Sequence, residues 1–418
     1  MKSHRPLRIL LSEGSSLSAR QTITALSRRG YSLDVCDPNP LCISRFSRLV
    51  RHYYHCPAVG TDPVGYLKFV LNHLTRERYD VLMPVHEQAF LFAKTRERLP
   101  PGVRVALADF DAFLQVQGKV AFARLMERLS LPQPVTNIIR TRSELETMNC
   151  FPCYIKTDYS TAGQGVWRVR NRRERDQAAF ELGQIGMLDG THEIVVQEEA
   201  IGALCQVQAV FAHGHLLAYH CSQTRGESVG GGHAARMGVE HPQVREHLVA
   251  LGQALDWHGP LALDYLFDDT AGRPTYIECN PRLVEPMNAM LSGVNLADLT
   301  VRVALGEVED TTHSRSGHPG IRSHSLMAIL LGVADHGGSR WKLLGTIGED
   351  IRGRGVFARS REDLTPFRKD PPSLIPLGVV CGQLLLNPHA AHHIATGAVN
   401  AYSLSASTVE TIMALDGT

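Results

Sequence analysis

The sequence predicts a chain of mixed α/β and α+β class, and three observations lead to this prediction. Short apolar strands alternate with helical patterns over residues 1–110. Two prolines near residue 132 end a helix, and the section that follows contains two lobes rich in strands. A Ser/His/Gly-rich stretch after residue 310 precedes a C-terminal α/β appendage. We therefore expect three units, at residues 1–110, 111–310 and 311–418, with a small lobe at about 132–200.

The first unit has the alternation that is typical of a parallel, Rossmann-like sheet. Strands are predicted at residues 8–11, 32–36, 80–85 and 103–108, and helices at residues 19–29 and 64–75. Gly14 follows the first strand, but one glycine is far short of a dinucleotide-binding motif. Ser16 or Ser18 can instead cap the helix that follows.

The second unit begins with a helix at residues 111–131, which Pro132 and Pro134 terminate. The later strands are predicted at residues 153–156, 165–168, 193–197, 205–211, 216–220, 261–267 and 275–278, and the later helices at 172–185 and 242–255. The turn-rich connector at 268–272 predicts antiparallel pairing of the last two strands.

The composition favours small-molecule chemistry. Lys plus Arg number 43 and Asp plus Glu number 42, so no broad positive field exists to hold nucleic acid or an anionic membrane. The N-terminus has too short an apolar run for a secretory segment, and the apolar stretch at 374–386 is too short to span a bilayer. We therefore expect a cytoplasmic protein. The nine cysteines, including the pair Cys150 and Cys153, are expected to be reduced thiols.

A lysine at the end of a predicted strand carries the first sign of chemistry. Lys156 is followed by a loop that contains Ser160, Thr161, Gly163, Gln164 and Gly165. A fixed positive charge beside unhindered backbone N–H groups suits a polyphosphate. Taken alone, the pattern also fits a surface lysine before a hairpin loop.

Two carboxylates on successive predicted strands carry the second sign. Asp264 and Glu278 are flanked by apolar residues, where an ionised carboxylate is costly unless a cation or hydrogen bonds compensate its charge. Together with the amide of Asn280 they form a set of hard oxygen ligands that suits Mg²⁺. The alternative is that both carboxylates face solvent, although Asn280 and Arg282 continue the same alternation.

These motifs, in this order, resemble the ATP-grasp superfamily. The matching residues are Lys119, the Lys156 strand with its loop, the stretch Gln197-Glu198-Glu199, and the run Asp264…Glu278-x-Asn280-Pro281-Arg282. The resemblance covers residues 7–310. The chain looks most like carboxylate–amine ligases whose pre-ATP-grasp domain is related to biotin carboxylase and carbamoyl-phosphate synthetase.

The resemblance implies a role for each matching residue. Lys119 and Lys156 would bind the phosphates of ATP, and Asp264, Glu278 and Asn280 would hold two Mg²⁺ ions, with Mn²⁺ as a substitute. Arg282 would neutralise the charge on an acyl-phosphate. The adenine pocket would be lined by Gln197, Glu198 and Ile201. The phosphates would be covered by a lid of Ser160, Thr161, Gly163, Gln164 and Gly165.

One position departs from the family pattern. Where many members have Gly-x-Glu, with a carboxylate that binds the ribose hydroxyls, this chain has Gly202-Ala203-Leu204. We expect Gln206 or Glu199 to bind the ribose, or ribose binding to be weaker.

Three further sites are left open by the sequence. Gln223-Thr224-Arg225, followed by three glycines, resembles a substrate-side loop, in which Arg225 would be a carboxylate clamp or simply an exposed arginine. His86-Glu87-Gln88, at the carboxyl end of a predicted parallel strand, would face the acceptor substrate or form a polar loop. The histidines near residue 390 (His389, His392 and His393) are interpreted as a polar helix face and not as a zinc site.

The function that the resemblance implies is ATP-dependent ligation. A small carboxylate, such as an amino acid, would be converted to an acyl-phosphate and coupled to an amine, with release of ADP and phosphate. The alternatives are a bicarbonate-activating enzyme of the carboxylase type and a non-catalytic nucleotide-binding relative. No Met-Lys biotinylation segment is present, which favours an amino acid or another small carboxylic acid. The expected partners are small-molecule substrates and, in a homodimer, a second copy of the chain.

Overall fold

A four-stranded parallel sheet forms the N-terminal part of the molecule. The structure is a computed structural model, and it describes residues 5–160, 165–308 and 312–415. The strands are β1 (Arg8–Leu11), β2 (Ser32–Asp37), β3 (Val50–His55) and β4 (Val81–Met83), in the order β3-β2-β1-β4. The helices are α1 (Leu17–Leu26), α2 (Pro63–Glu77) and α3 (Gln88–Lys94). The predicted parallel sheet is confirmed.

Two details of the predicted sheet are wrong. β3 is an edge strand without a buried residue, and it is not apparent in the sequence because its polar and aromatic side chains form no apolar run. The predicted strand at residues 103–108 is absent from the described secondary structure, and only Arg104 makes a parallel bridge, to Val81. Residues 106–108 are buried, so the apolar run there reflects packing and not strand pairing.

The predicted helix at residues 111–131 is divided at Gly118. The two parts are α4 (Phe110–Gln117) and α5 (Lys119–Arg128), and Gly118 has extended backbone angles, with φ −85° and ψ 141°. A Cβ at Gly118 would lie 2.7 Å from Asp158 Oδ1, so the glycine allows the Asp158 segment to approach. The backbone N–H groups of Lys119 and Val120 donate to Asp158 O (3.1 Å) and Oδ1 (2.8 Å). The break therefore places Lys119 at the first position of α5.

A small antiparallel sheet follows. Its strands are β5 (Thr136–Thr141), β6 (Cys153–Thr157), β7 (Val166–Val169) and β8 (Asp189–Glu198), in the order β5-β8-β6-β7. The helices α6 (Arg142–Thr147) and α7 (Arg172–Gln184) contribute Leu145 and Leu182 to a core shared with Ile155 and Val196.

An eight-stranded sheet forms the centre of the molecule. Its first strands are β9 (Ala203–Ala212), β10 (His215–Glu227), β11 (His233–Val239), β12 (Gly259–Asp268) and β13 (Arg273–Asn280). Neighbouring strands in the order β13-β12-β9-β10-β11 are antiparallel, as predicted for β12 and β13. The connecting helices are α8 (Pro242–Leu255), α9 (Met287–Leu291) and α10 (Leu296–Leu305).

The stretch after residue 310 is not a free linker. β14 (Arg315–Ser316) pairs with β10, β15 (Arg322–His324) pairs with β11, and β16 (Ser360–Glu362) pairs with β15. These short strands complete the central sheet, so the predicted boundary between residues 310 and 311 crosses it. Serine, histidine and glycine suggest a linker in sequence, but here Gly317 and Gly320 donate backbone hydrogen bonds to Tyr219 and Gly238 of the sheet.

The C-terminal helices return to the N-terminal sheet. They are α11 (Leu326–Asp335), α12 (Arg340–Ile351), α13 (Leu374–Leu386), α14 (Ala391–Val399) and α15 (Ala406–Met413). α15 contacts α2 and α3, and Ile412 is buried in their core. No helix in the described ranges is long and apolar enough to cross a membrane. All nine cysteines are described, and none of them is paired in a disulfide.

Candidate active site

Lys156 lies at the end of β6 with its ammonium group buried between the two sheets. Its Nζ donates to Gln197 Oε1 on β8 (2.7 Å) and to the backbone carbonyl of Ile277 on β13 (3.2 Å). Burial lowers the pKa of Lys156 to about 8; the nearby Lys119 also lowers it, and Glu278 opposes the shift. A buried cation whose hydrogen-bond acceptors are neutral is well suited to bind an anion, because the anion would compensate its charge.

Lys119 connects Ser160, in the loop after β6, to the carboxylate of Glu278. Its Nζ donates to both the backbone carbonyl (3.1 Å) and the hydroxyl (2.9 Å) of Ser160, and it lies 3.5 Å from Glu278 Oε1. The break at Gly118 makes this possible because it starts α5 next to the end of β6. Lys119, Lys156, Ser160 and Glu278 are thus brought together, although the sequence separates them widely.

The loop after Ser160 is described only in part. Thr161, Gly163 and Gln164, which the family resemblance places over the phosphates, lie outside the described residues. Gly165 has φ +67° and its carbonyl accepts the Thr157 N–H at 2.9 Å. A Cβ at Gly165 would lie 2.3 Å from Thr157 Oγ1, so this turn requires glycine.

Asp264 and Glu278 lie directly opposite each other on β12 and β13. Like charges in this position repel each other unless a cation or hydrogen bonds compensate them. Asp264 accepts from Gln206 Nε2 (2.8 Å) and from Asn280 Nδ2 (3.3 Å). Asp264 is therefore not a solvent-facing residue, whereas the Glu278 side chain is 38% exposed.

The surroundings of Asp264 keep it ionised. Burial alone would raise the pKa of its carboxyl group, but hydrogen bonds from His233 and Gln206, together with the Arg236 charge, hold that pKa below its ordinary value. His233 Nε2 lies 3.4 Å from Asp264 Oδ1, and Arg236 donates to Gln206 Oε1 at 3.0 Å. His233 and Arg236 could not be predicted from the sequence, because only the pairing of β9, β10 and β11 brings them to the site.

The oxygen donors at this position fit Mg²⁺. Asp264 and Glu278 supply carboxylates and Asn280 supplies an amide, which are ligands that Mg²⁺ shares with nucleotide phosphates. Within the part of the chain that the structure covers, no group of three or more His, Cys, Asp and Glu side chains could hold a metal ion. A cation here would therefore depend on the carboxylate pair, the amide and the phosphates together.

Arg282 joins the carboxylate strands to the N-terminal sheet. Its NH2 group donates to Asn280 Oδ1 (3.1 Å) and to Glu87 Oε1 (3.2 Å), and Gln117 donates to the other oxygen of Glu87 at 2.7 Å. Arg282 is buried, and its Nε–H has no hydrogen-bond partner among the described residues. An unsatisfied buried N–H of this kind is a donor available to a substrate oxygen.

The predicted adenine residues differ in their positions. Gln197 is buried and holds Lys156, whereas Glu198 is exposed and Ile201 is 79% exposed. The two residues considered for the ribose also have other contacts. Gln206 contacts Asp264 and Arg236, and Glu199 accepts from Arg168 at 2.7 Å.

The prediction for Arg225 is wrong in its local structure. Residues 223–225 belong to β10 and not to a loop, and the exposed Arg225 contacts Met237 Sδ at 3.7 Å. Its neighbour Thr224 instead contacts His233, which reaches Asp264. Arg225 lies at an irregularity of the β10–β11 pairing, between Thr224, which pairs with Arg236, and Gly226, which pairs with Ala235.

Comparisons with known proteins agree with this architecture. No family model matches the sequence. The carbamoyl phosphate synthase large chain of Thermus thermophilus is 24% identical over 323 residues, which are 72% of this chain and 30% of that protein. The same protein of Thermomicrobium roseum is 24% identical over 300 residues, 68% of this chain and 27% of the relative. The chain thus spans less than a third of the length of these relatives.

Three solved structures share the fold. The N5-carboxyaminoimidazole synthetase of Staphylococcus aureus, complexed with ADP, has a TM-score of 0.60 at 12% identity and covers 82% of this chain and 86% of its own. A second structure is the biotin carboxylase domain dimer of Hydrogenobacter thermophilus 2-oxoglutarate carboxylase, in complex with MgADP, ADP and bicarbonate. Its TM-score is 0.59 at 15% sequence identity, and the match covers 75% of this chain and 72% of that one. An L-amino acid ligase from Bacillus licheniformis has a TM-score of 0.56 at 18% sequence identity, and the match covers 74% of this chain and 78% of that one.

The chain has the ATP-grasp fold. The strand residues of the candidate site come from two of the three sheets. Lys156 and Gln197 come from the small sheet, and Asp264, Glu278 and Asn280 come from the central sheet. The candidate site therefore lies where the small sheet and the central sheet meet.

Proposed function

We propose that this ATP-grasp chain is a ligase that couples a small carboxylate to an amine at the expense of ATP. ATP would phosphorylate the carboxylate, the amine would attack the resulting acyl-phosphate, and ADP and phosphate would be released. The observation that carries the proposal is the convergence of Lys119, Lys156 and the Asp264–Glu278 pair beside Arg282. The site thus has two ammonium groups that could bind phosphates, and the Arg282 Nε–H as a donor without a hydrogen-bond partner among the described residues.

The phosphate side of the proposal rests on charge. Lys156 and Lys119 would bind the terminal phosphates of ATP, and Mg²⁺ held by Asp264, Glu278 and Asn280 would neutralise part of their charge. Positioning and charge neutralisation are the main contributions that a protein makes to phosphoryl transfer.

The carboxylate side rests on Arg282. Its Nε–H would donate to an oxygen of the substrate carboxylate, while Glu87 and Asn280 hold the guanidinium in place. A positive group fixed near the site of developing charge stabilises the transition state more than the ground state. Water must be excluded during this step, since an acyl-phosphate is readily hydrolysed.

An ADP-release screen tests the proposal. The full-length protein is incubated with MgATP and pairs of amino acids or other small carboxylates and amines, and ADP is measured by a coupled assay. We expect ADP release that depends on a carboxylate and an amine together. The matched control is Glu278→Gln, which should remove release in every positive pair. Absence of substrate-dependent release across the panel would contradict the proposal.

Bicarbonate activation is the second candidate. It is favoured by the sequence similarity to carbamoyl phosphate synthase large chains and by the likeness to a biotin carboxylase domain in complex with bicarbonate. A bicarbonate arm in the same screen separates the two functions. ADP release that requires bicarbonate, and no organic carboxylate, would favour the second candidate. A protein that binds MgATP but releases no ADP in either arm would be a non-catalytic relative.

We also propose that the chain forms a homodimer in solution, because the related biotin carboxylase domain is described as a dimer. Light scattering coupled to size-exclusion chromatography would give the mass. A mass of one chain at micromolar concentration would contradict this.

A further inference from the structure

The C-terminal segment 399–415 brings an aromatic side chain to the substrate side of the active site. Tyr402 is 6% exposed, and its ring centroid lies 3.9 Å from that of His86, with an angle of 37° between the rings. His86 directly precedes Glu87, which pairs with Arg282. Tyr402 is thus connected to Arg282 through two residues, although 120 positions separate them in the sequence.

The electrostatic surroundings of Tyr402 place it beside the site. Burial raises the pKa of its hydroxyl, Glu13 adds to the increase, and Arg282 opposes it. Glu87 and Asp37 also contribute. The ring therefore lies within electrostatic range of residues from the N-terminal sheet and from the strand of the metal carboxylates.

His86 has an unused polar atom at this position. Its Nδ1 is buried without a hydrogen-bond partner among the described residues and lies 3.6 Å from Glu87 Oε1. Burial, assisted by Arg282, holds the pKa of His86 well below its ordinary value, so the ring is neutral. Arg282 Nε and His86 Nδ1 are thus two unsatisfied polar atoms close to the same Glu87 carboxylate, where a polar substrate group could satisfy them.

The segment that carries Tyr402 is firmly attached to the N-terminal unit. The backbone N–H of Gly60 donates to Ala401 O at 3.2 Å, and Thr408 Oγ1 donates to Gly60 O at 2.9 Å. A Cβ at Gly60 would lie 2.6 Å from the carbonyl oxygen of Asn400, so the glycine permits this approach. Leu404 is buried in the same core. These contacts fix the position of the Tyr402 ring.

We infer that the C-terminal segment completes the substrate side of the active site, with Tyr402 as a specificity-determining residue whose ring limits the size of the substrate side chain beside His86. The ligand class is a small carboxylic acid, with a carboxylate oxygen at Arg282 Nε and its side chain against the His86–Tyr402 ring pair. This inference rests on the proposed ligase function. It assigns a role at the site to residues more than one hundred positions beyond Arg282.

The first measurement compares substrate selectivity in three variants. ADP release with MgATP is measured for amino acids of increasing side-chain size, and kcat/KM for a bulky member is divided by that for a small one. We expect Tyr402→Ala to raise this ratio by about tenfold, since contacts worth one or two methylene groups have effects of that size. Tyr402→Phe keeps the ring and should keep the ratio. Leu404→Ala, which loses packing in the same segment and keeps both rings, should also leave it unchanged.

The second measurement does not depend on turnover. Diethyl pyrocarbonate modifies neutral, accessible histidines, and peptide mass spectrometry gives the rate at His86. We expect slow modification in the natural protein and in Leu404→Ala, and fast modification in Tyr402→Ala. Continued protection of His86 in Tyr402→Ala would overturn the inference. So would fast modification combined with an unchanged selectivity ratio, because Tyr402 would then only cover His86.

The two measurements separate the inference from the proposed function. If the natural protein releases no ADP with any member of the series, the proposed function fails for that class of substrate. Continued protection of His86 in Tyr402→Ala would still overturn the inference in that case, because this measurement needs no turnover.

Discussion

Lys156 illustrates how one residue can be costly to bury and still be suited to its task. Its ammonium group is removed from water and held by an amide oxygen and a backbone carbonyl, neither of which carries a compensating charge. An anionic ligand would supply that compensation. We therefore expect the burial of this charge to favour the binding of an anionic phosphate.

The lowered pKa of Lys156 predicts a pH dependence of ATP use. Its pKa of about 8 in the folded protein means that the free enzyme loses the ammonium proton as the pH rises through 8. We expect kcat/KM for MgATP to fall above this pH, because that parameter reports the ionisation of the free enzyme. Lys156→Arg should retain its charge and lose this decline, even if its activity is lower. A natural protein with a flat profile between pH 7 and 9.5 would contradict the assignment.

The same shift has a consequence for stability. The folded pKa of Lys156 is lower than its ordinary 10.5, so between pH 8 and 10.5 the unfolded chain holds the extra proton. The contribution of Lys156 to the free energy of unfolding therefore rises with pH in that window. Activity and this contribution to stability should change in opposite directions there.

Glu278 provides the second prediction at the residue scale. Glu278→Gln keeps the size of the side chain but removes the charge that faces Lys119 and the predicted cation. We expect kcat to fall on the order of 100-fold or more, without rescue by additional ATP, since the loss concerns charge in the transition state. The control is Asp269→Asn, an exposed carboxylate at the far end of the same hairpin, which should be close to normal. Steady-state kinetics with near-normal kcat in Glu278→Gln would return Glu278 to a structural role.

Some candidate site residues could be predicted from the sequence because they lie in strands, or directly after one, within recognisable motifs. Lys156, Asp264, Glu278, Asn280 and Arg282 are of this kind. Others could not be predicted, because their roles depend on neighbours that only strand pairing supplies. His233 reaches Asp264 from β11, and Arg236 on the same strand donates to Gln206 beside it. The positions of Thr224 and Arg225 depend on an irregularity in the pairing of β10 with β11.

At the scale of elements, the junction between α4 and α5 determines where Lys119 lies. Gly118 is extended, and its missing side chain leaves room for the Asp158 carboxylate that holds the first turn of α5. The helix is divided because this contact competes with helix continuation, a competition that periodicity does not reveal. The prediction of a single helix at residues 111–131 was therefore wrong at Gly118, where the break positions Lys119.

Gly118→Ala tests this account. The new methyl group would meet Asp158 Oδ1 at 2.7 Å and displace the start of α5 together with Lys119. We expect the affinity for MgATP, measured by calorimetry, to fall by about tenfold, as for a lost charge-assisted contact. Gly183→Ala, in an exposed helix with no atom within 4 Å of the new Cβ, is the matched control and should bind normally. Equal affinities in the two variants would show that the junction does not position Lys119.

At the scale of the whole molecule, the C-terminal part stabilises the N-terminal sheet. Arg20 on α1 forms a buried pair with Asp370 (2.6 Å), and Gln21 donates to Asp363 at 3.0 Å. Arg20 is 2% exposed and Asp370 is fully buried. Such contacts join positions about 350 residues apart, which explains why the sequence suggested an appendage where the structure has an integrated part of the fold.

Asp370→Ala should be strongly destabilising. It leaves the Arg20 charge buried without its partner and also removes the acceptor for Ser47 Oγ (2.6 Å). We expect the free energy of unfolding, from urea titration, to fall by about 3–5 kcal/mol. Glu146→Ala removes the exposed pair with Arg142 and should cost less than about 1 kcal/mol. Similar small losses in both variants would mean that the C-terminal part contributes little to the stability of α1.

The central claim, transfer of the γ-phosphate of ATP to a carboxylate, is tested most directly by isotope transfer. The protein is incubated with MgATP, an amine and a carboxylate substrate labelled with ¹⁸O, and the products are followed by phosphorus NMR. The account predicts ADP and phosphate, with one ¹⁸O atom moved from the carboxylate into the phosphate as the amide forms. Formation of AMP and pyrophosphate, or phosphate without the label, would contradict it.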